Sequence, residues 1–498
     1  MKLVKSLILG SAAALVAVGG AQAADLPVKA KAVEYVKVCS LYGPGFYYIP
    51  GTDTCIKLGG YLRADVLANT NTVAGPNYNG ANGANNRFTN GYTWRSREDL
   101  NIDTRTATEY GVVRTYFDAV FTWTSGTYAG VGNGSTTYSG DAVAGGSLGV
   151  YYAFIQFAGF TIGKAVSQFA APWTGYPGNN FDGLVGGVNT TTGVNQFTYT
   201  AQFGNGVSLS LSAQDQTLYS QAGVNNLSAG GAYGASDYAG TIAPDLIASL
   251  KVDQAWGLFQ ASFAAHDSHA AYYGGTELTG HPDDKWGWAG ALALSIKNIP
   301  TGPGDVINVQ GVYTDGATRY NIQDLASQAG AIAMFGGSNL PGVYGSVGFG
   351  TAPDTVFIAG GQQQTIKTWG MRGAYTHNWN PYWNTAIYGA YAAVMYNDTA
   401  KSYICGVGGV GGTFRTAFGT GVTTCNPDYN LAQIGVITRW TPVKNLTFSA
   451  DVTYSHLDQK YAGTIAFPGS AAIGKPAATY ELKDQDTVML LLRAQRNW

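Results

Sequence analysis

The chain has 498 residues, of which 45% are hydrophobic, 13% aromatic and only 12% charged, against about 25% charged residues in soluble domains. A formal net charge of −2 gives no electrostatic reason to expect nucleic acid as a partner, and none is predicted. After the N-terminal region, no stretch approaches the roughly 18 consecutive apolar residues of a transmembrane helix. The abundant apolar residues must therefore alternate with polar ones, which indicates strands with two different faces.

The first 23 residues have the pattern of a cleaved secretory signal peptide. Lys2 and Lys5 form a charged start, 7–18 is an apolar core, and 21–23 is a small-residue cleavage site. The apolar core is shorter than the roughly 20 residues of a spanning helix, so a retained anchor helix is the less favoured alternative. We expect 1–23 to be removed and the exported chain to begin near Ala24.

Segments with a period of two then follow to the end of the chain. In one of them Leu446, Phe448 and Ala450 share a face, and Thr447 and Ser449 lie on the other. A sheet with an apolar face in lipid must pair every backbone group, and it does so by closing on itself. We therefore predict an all-β fold, a closed 16-stranded antiparallel transmembrane β-barrel over 56–498. The predicted strands are 56–68, 93–104, 110–122, 149–157, 160–168, 195–203, 207–215, 246–254, 256–266, 286–298, 304–314, 366–378, 383–396, 430–440, 446–458 and 487–498.

The connections between these strands alternate between short turns and long polar loops. The long ones lie near 69–92, 123–148, 169–194, 216–245, 267–285, 315–365, 397–429 and 459–486. This alternation is typical of outer-membrane barrels, which have short periplasmic turns and long extracellular loops. Most tryptophans fall at predicted strand ends, as expected for aromatic girdles at the two membrane interfaces. Both patterns predict a barrel in the outer membrane.

Four cysteines form two sequence-local pairs, Cys39 with Cys55 and Cys405 with Cys425. An exported protein can oxidise both pairs, although four cysteines allow three connectivities. We expect local pairing, with the first disulfide in a periplasmic segment at 24–55 and the second in a surface loop. Reduced thiols or a metal site are the alternative, but histidines and cysteines do not cluster. No cofactor is predicted.

The segment 39–55, Cys-Ser-Leu-Tyr-Gly-Pro-Gly-Phe-Tyr-Tyr-Ile-Pro-Gly-Thr-Asp-Thr-Cys, is followed by Ile-Lys-Leu-Gly-Gly-Tyr-Leu-Arg-Ala-Asp. With the Ala-Asp-Leu-Pro sequence at 24–27 and the final strand ending in Trp498, it resembles the alphaproteobacterial general porin family. The resemblance implies a homotrimeric diffusion channel in the bacterial outer membrane, which contacts outer-membrane lipid and passes small hydrophilic solutes and ions. It also implies that the third long loop, 169–194, folds into the pore. Arg496 departs from the apolar alternation expected in the last strand.

Strand parity directs several charged residues to the predicted channel wall. Four arginines on three adjacent strands are expected to face Asp182 of the inner loop and to set a transverse field that orients polar solutes. The alternative is ordinary salt bridges between these arginines and the aspartates of the same wall. The resemblance adds Lys164, although this residue is in step with outward residues. Glu98 falls on the apolar face, and the sequence offers no explanation for it. The predicted pore residues are Arg63, Arg95, Arg97, Arg114, Lys164, Asp182, Asp65, Asp99 and Asp118.

Three enzymatic or metal-binding patterns are weak. The G-x-S-x-G match at 145–149 lacks a strand–turn–helix context, and the G-x-G-x-x-G match at 406–411 lacks a βαβ unit. His266, His269 and His281 are too loosely spaced to predict a metal site. We therefore predict a channel and no enzyme. A substrate-specific channel with an aromatic track is the first alternative, because the chain has 33 tyrosines, and an enzyme or adhesin barrel is the second.

Overall fold

The computed structural model describes 37–68, 92–124, 146–171, 173, 184–188, 190–217, 219–323, 332–406, 412–469 and 475–498. The predicted signal peptide at 1–23 and the predicted pore residue Asp182 lie outside these ranges. Within them, no helix combines the length and hydropathy needed to span a bilayer.

Sixteen strands form one closed antiparallel barrel, which confirms the predicted fold class. Every strand pairs with its neighbours in the chain, and the last strand pairs with the first. The strands are β1 (Thr54–Ala68), β2 (Tyr92–Thr108), β3 (Gly111–Thr124), β4 (Ser147–Phe157), β5 (Phe160–Ala165), β6 (Val194–Gly204), β7 (Val207–Gln214), β8 (Asp245–Gln254), β9 (Gly257–Ser268), β10 (Lys285–Lys297), β11 (Val306–Asp315), β12 (Lys367–Asn380), β13 (Trp383–Met395), β14 (Tyr429–Val443), β15 (Leu446–Gln459) and β16 (Gln485–Asn497).

The two faces of the barrel differ as the alternation predicts. The inner face of β6 and β7 is a hydroxyl ladder, in which Thr198 and Ser212 lie 2.6 Å apart and Thr200 and Ser210 lie 2.9 Å apart. The outer face is apolar and exposed, because its side chains are directed to the lipid. Ten tryptophans are exposed near strand ends, which confirms the two girdles: Trp94, Trp123, Trp286, Trp288 and Trp369 on the loop side, and Trp256, Trp379, Trp383, Trp440 and Trp498 on the turn side.

The short turns have a local cause. Asn205 and Gly206 alone join β6 to β7, and both have positive φ, +49° and +74°. Two consecutive residues with positive φ form the type I′ turn that matches the twist of a hairpin. The turn therefore directs the chain straight back into the next strand.

The long loops fold into a cap with its own core. Short strands form two small sheets: Val224–Asn226, Ala235–Ser236, Thr355–Phe357 and Gln364–Thr365 in one, and Ile332–Gly336, Gly345–Gly350, Val422–Thr424, Ala462–Phe467 and Ala478–Leu482 in the other. Two helices, α1 (Asp398–Cys405) and α2 (Thr413–Phe418), pack beside them. Phe414 stacks on Tyr461 at 4.1 Å between ring centroids, and the Tyr233 hydroxyl donates to Tyr461 Oη at 2.8 Å.

Both cysteine pairs are disulfides with the local connectivity, Cys39–Cys55 and Cys405–Cys425. The first links the segment before the barrel to β1, against which Tyr47–Tyr48 pairs as a short strand. The second links the end of α1 to the chain that enters β14. The remaining short elements are 3-10 helices at Ser40–Tyr42, Leu227–Ala229 and Thr318–Tyr320.

Candidate functional site

One fully buried charged group of the barrel wall is centred on Asp65. Arg95 Nε donates to Asp65 Oδ2 at 2.7 Å, and Arg493 Nε donates to Asp65 Oδ1 at 2.7 Å. The side chains of Asp65 and Arg95 are fully buried. Asp65 and Arg95 therefore have the geometry of the alternative hypothesis, a salt bridge within the barrel wall. Arg493 is a third member of this charged group.

Arg63 and Arg97 lie side by side next to this group, as directly paired residues of β1 and β2. Arg63 Nε donates to Gln495 Oε1 at 2.8 Å, and its guanidinium lies 4.2 Å from the centre of the Tyr61 ring. Both arginines remain partly exposed. Because they are on the inner face, their charges are presented to the lumen.

Two carboxyl groups follow along the same wall. Asp99 and Asp118 lie on adjacent strands, and Asn101, two residues after Asp99, is the direct register partner of Asp118. Asn101 Nδ2 donates to Asp99 at 3.2 Å, and the Tyr116 hydroxyl donates to Asp118 at 3.4 Å. Each of the two carboxyl groups therefore has a neutral hydrogen-bond donor beside it.

Arg114 belongs to a separate group near the turn between β2 and β3. Its Nη2 lies 2.9 Å from Asp103 Oδ2, which also accepts from Arg105 at 2.9 Å, and its Nη1 donates to Gln156 at 3.0 Å. Arg114 pairs with Arg105 in the register, which is eight positions along β2 from Arg97, or about 26 Å. The structure therefore places Arg114 on the predicted wall but not beside the other three arginines.

Lys164 takes a different position from the other predicted residues. Its register partners are Ala153 and Asn195, and both are in step with outward residues of their strands. Its Nζ donates to the carbonyl of Val150 at 2.5 Å. Lys164 therefore has the outward parity that its own strand indicates, and we leave it out of the inner charged groups.

The predicted pore residues do not include four further arginines that have polar contacts to inner-face residues or to the inner loop: Arg493, Arg105, Arg372 and Arg439. Strand parity was available as a signal for Arg493, because this residue alternates with the outward Leu492. Its pairing with Asp65 was not available, since it depends on the closure of β16 against β1.

A segment of the third long loop lies against the far side of the inner face. The Val185 amide donates to Gln433 Oε1 at 3.0 Å, Gln310 Nε2 donates to the carbonyl of Gly186 at 2.8 Å, and Arg372 Nη2 donates to the carbonyl of Val188 at 2.6 Å. These three side chains belong to β14, β11 and β12. The loop leaves the barrel after β5 and returns at β6, so 184–188 reaches strands on the opposite side.

Two glycines permit this contact. Gly186 and Gly187 have φ of +89° and +148°, and a Cβ on Gly186 would lie 2.6 Å from the carbonyl carbon of Met371. A residue without a Cβ tolerates both the positive φ and the close approach of two backbones. The nearer end of the loop is held on the other wall, where the Tyr152 hydroxyl donates to the carbonyl of Thr190.

The three histidines of the discarded metal pattern have separate partners. His266 is buried and pairs with Asp245 at 2.8 Å, His269 pairs with Asp284 at 2.6 Å, and His281 contacts the carbonyl of Pro282. Among the described residues, no group of three or more His, Cys, Asp or Glu side chains is placed to hold a metal ion. Residues 407–411 of the G-x-G-x-x-G match and the first residue of the G-x-S-x-G match lie outside the described ranges.

The comparisons with known proteins agree with this geometry. Residues 25–491 match the family model described as the porin subfamily. Porin Omp2b of Brucella suis is 35% identical over 269 residues, which cover 53% of this chain and 66% of that protein, just under two thirds of its length. Porin Omp2b of Brucella melitensis matches to the same extent. The outer membrane channel DcaP of Acinetobacter baumannii has a TM-score of 0.55 at 15% identity, over 91% of this chain and 99% of that one, a likeness of fold alone.

Family and fold together point to a channel rather than an enzyme. A closed barrel with exposed aromatic girdles requires a membrane around it. Membership of the porin subfamily identifies this membrane as the bacterial outer membrane. The chain belongs to the porin subfamily and is a β-barrel protein of the bacterial outer membrane.

Proposed function

We propose that the chain acts, as a homotrimer, as a passive aqueous channel for small hydrophilic solutes and ions. Its narrowest part is the gap between the inner face of β1–β4 and the docked loop segment 184–188. The observation that carries this proposal is the docking of 184–188 on inner-face side chains of β11, β12 and β14, because a loop held across a barrel divides its lumen.

The charges beside the gap favour anions. Around Asp65 the described residues place four arginines, Arg63, Arg95, Arg97 and Arg493, against one carboxylate. With Asp99 and Asp118 further along the same wall, the arginines still outnumber the carboxyl groups by four to three. A positive wall in a narrow aqueous gap attracts anions and repels cations. We therefore propose weak anion selectivity.

The test is the reversal potential across a KCl gradient in a planar bilayer. One unit charge about 8 Å from a permeating ion contributes about 0.5 kcal/mol in water. Because the sign is opposite for the two ions, Arg63→Gln or Arg97→Gln should lower the anion-to-cation permeability ratio about fivefold at low salt, and less at high salt.

Arg114→Gln is the matched control, since Arg114 is on the same wall but paired with Asp103 and far from the gap. An equal shift in all three variants would contradict the assignment of the gap to Arg63 and Arg97. A folded barrel without conductance would overturn the channel itself.

One observation favours a second candidate, a channel specific for a solute with a flat apolar face. Tyr116, Phe154 and Tyr152 form a continuous aromatic surface on the inner face of β3 and β4, with ring centroids 5.4 and 6.2 Å apart. Such a surface offers stacking contacts to sugar or aromatic rings. Block of the current by one sugar, and loss of that block in Tyr116→Ala, would favour this candidate over the general channel.

A further inference from the structure

A polar pocket lies at the turn-side end of the barrel, apart from the charged group around Asp65. Its volume is about 510 Å³, and its lining includes Tyr42, Arg105, Arg114, Gln156 and Thr161. The last four belong to β2, β3, β4 and β5, whereas Tyr42 comes from the segment that the Cys39–Cys55 disulfide links to β1. The two arginines are on the inner face, so a ligand would reach them from water and not from lipid.

The two arginines have N–H groups to spare. Arg105 donates from Nε and Nη2 to Asp103, at 3.1 and 2.9 Å. Arg114 donates from Nε and Nη2 to Asp103, at 3.1 and 2.9 Å, and from Nη1 to Gln156 at 3.0 Å. A guanidinium has five N–H groups, so three on Arg105 and two on Arg114 have no hydrogen-bond partner among the described residues. Asp103 balances only one of the two positive charges.

Two hydroxyl groups add further donors. Gln156 accepts from Arg114 and in turn donates from Nε2 to Thr161 Oγ1 at 3.1 Å. Because the buried Thr161 oxygen accepts this bond, its own proton is left to donate. The Tyr42 hydroxyl is buried without a hydrogen-bond partner in the part of the chain that the structure describes. The lining of the pocket is therefore rich in donors and carries one excess positive charge.

Aromatic rings hold both guanidinium groups in place. The guanidinium of Arg105 lies 4.8 Å from the centre of the Phe46 ring and 5.7 Å from that of Tyr42. The guanidinium of Arg114 lies 5.5 Å from the centre of the Phe154 ring. A planar guanidinium against a ring face has a fixed orientation. The directions of its remaining N–H groups are therefore set before any ligand arrives.

We propose that this pocket is a binding site for a tetrahedral oxyanion such as phosphate. A carboxylate has two oxygens in one plane and matches a single guanidinium. The donors here belong to β2, β3, β5 and the segment before the barrel, and the oxygens of a tetrahedral anion can accept from several directions. The inference goes beyond the proposed channel, because it assigns a solute-binding site to the turn-side end of the barrel.

The test is phosphorus NMR of inorganic phosphate with the folded chain at low salt, in an uncharged detergent that contains no phosphorus. Exchange with the pocket should broaden the phosphate resonance, with a dissociation constant of about 1 mM. Sulfate, which is also tetrahedral, should displace phosphate, and acetate at the same concentration should not. No broadening at phosphate concentrations well above this dissociation constant, or equal displacement by acetate, would overturn the proposal.

Variants locate the binding in this pocket. Arg105→Gln with Arg114→Gln should weaken phosphate binding by about tenfold or more, and Tyr42→Phe, which keeps the ring, by about threefold. The matched control is Arg439→Gln, since Arg439 lies near the turn-side end of β14, four strands from β2, and donates to Asn384 at 3.1 Å. The affinity of this control for phosphate should be unchanged. An equal loss in the control and in the double variant would refute the pocket.

If the double arginine variant does not fold, Tyr42→Phe with Thr161→Val replaces it. This pair removes two donors and leaves every charge in place, so phosphate binding should weaken by about tenfold. An unchanged affinity would overturn the proposal. The NMR signal does not depend on ion conduction. A negative result therefore leaves the proposed channel standing, and a barrel that binds phosphate without conducting would refute the channel alone.

Discussion

The docking of the inner loop can be tested with one methyl group. In Gly186→Ala the new Cβ would lie 2.6 Å from the carbonyl carbon of Met371, where an ordinary carbon–carbon contact is about 3.5 Å. The neighbouring atoms belong to the backbone of β12, which is held in the barrel. The loop must therefore move away by about 0.9 Å to restore an ordinary van der Waals distance between the new Cβ and the carbonyl carbon of Met371.

The expected magnitude follows from the contacts that this movement breaks. The Val185 amide to Gln433, the Gly186 amide to Asn321 Oδ1, and Gln310 to the carbonyl of Gly186 span 3.0, 3.1 and 2.8 Å. Lengthened by nearly 1 Å, none of them remains a hydrogen bond. At about 1 kcal/mol each, the docked state loses about 3 kcal/mol, or roughly 100-fold in the ratio of docked to undocked loop.

The assay is single-channel recording of the purified variant in a planar bilayer. An undocked loop can move from the β11–β14 side towards the arginine wall, so the mean conductance should fall and the open-channel noise should rise. Gly204→Ala is the control, since Gly204 also has positive φ, +82°, but a Cβ there would meet no atom within 4 Å. It has the same backbone strain without the collision.

Conductance and noise equal to those of the unmodified channel in Gly186→Ala would refute the reasoning. It would mean that 184–188 does not border the conducting path, or that β12 yields more easily than the loop. Equal changes in Gly186→Ala and Gly204→Ala would assign the effect to backbone strain alone.

Two further predictions concern buried charges. Asp65→Asn leaves Arg95 buried beside a neutral amide and should lower the free energy of unfolding by about 3–5 kcal/mol, seen as a lower urea midpoint. In the cap, burial lowers the pKa of Lys475, whose ammonium lies 5.3 Å from the Phe335 ring, to about 8. Below pH 8 both the folded and the unfolded chain carry this proton, so the destabilisation is fully present there. It disappears as the pH rises from about 8 to about 10.5. Lys475→Met should therefore make the cap more resistant to protease at pH 7. This difference in resistance from the unmodified chain should vanish above about pH 10.5.

Each of these predictions has a contrasting variant. Arg63→Gln removes a partly exposed arginine near Asp65 and should move the urea midpoint much less than Asp65→Asn. An unchanged midpoint in Asp65→Asn would show that Arg95 finds another partner. For the cap, Lys460→Met removes a partly exposed lysine that is paired with Asp458. The protease resistance of this variant should show no change with pH relative to the unmodified chain from pH 7 to 10.5. A constant difference between Lys475→Met and the unmodified chain from pH 7 to 10.5 would contradict titration as the cause.

Much of the barrel could be predicted from local patterns. The alternation in 446–458 predicts both the strand and the face that each side chain occupies, because a strand has a period of two whatever it pairs with. Turn residues such as Asn205 and Gly206 mark the strand ends, and tryptophans mark the membrane interfaces. The same parity indicates that Arg63, Arg95 and Arg97 point inward, and that Glu98 and Arg496 point outward.

Other features were decided only by the tertiary structure. Parity specifies a face but not a height, so it could not show that Arg114 lies near the turn with Asp103 while Arg97 lies about 26 Å away. The register between β16 and β1, far apart in the chain, decides that Asp65 meets Arg493. It also decides that Leu62 separates Glu98 from Arg496.

The loops, too, could be predicted from the sequence only in part. Their lengths and polar composition indicate which side of the membrane they occupy, but not that they fold into a cap with a parallel pairing between Thr355–Phe357 and Val224–Asn226. The apolar stretch near 332–336 becomes a strand of this cap. The sequence by itself determined the strands, their faces and the ends of the barrel, because each depends on neighbouring residues. The tertiary structure decided which charges meet and where the inner loop docks, because closure of the barrel sets the register between strands that are distant in the chain.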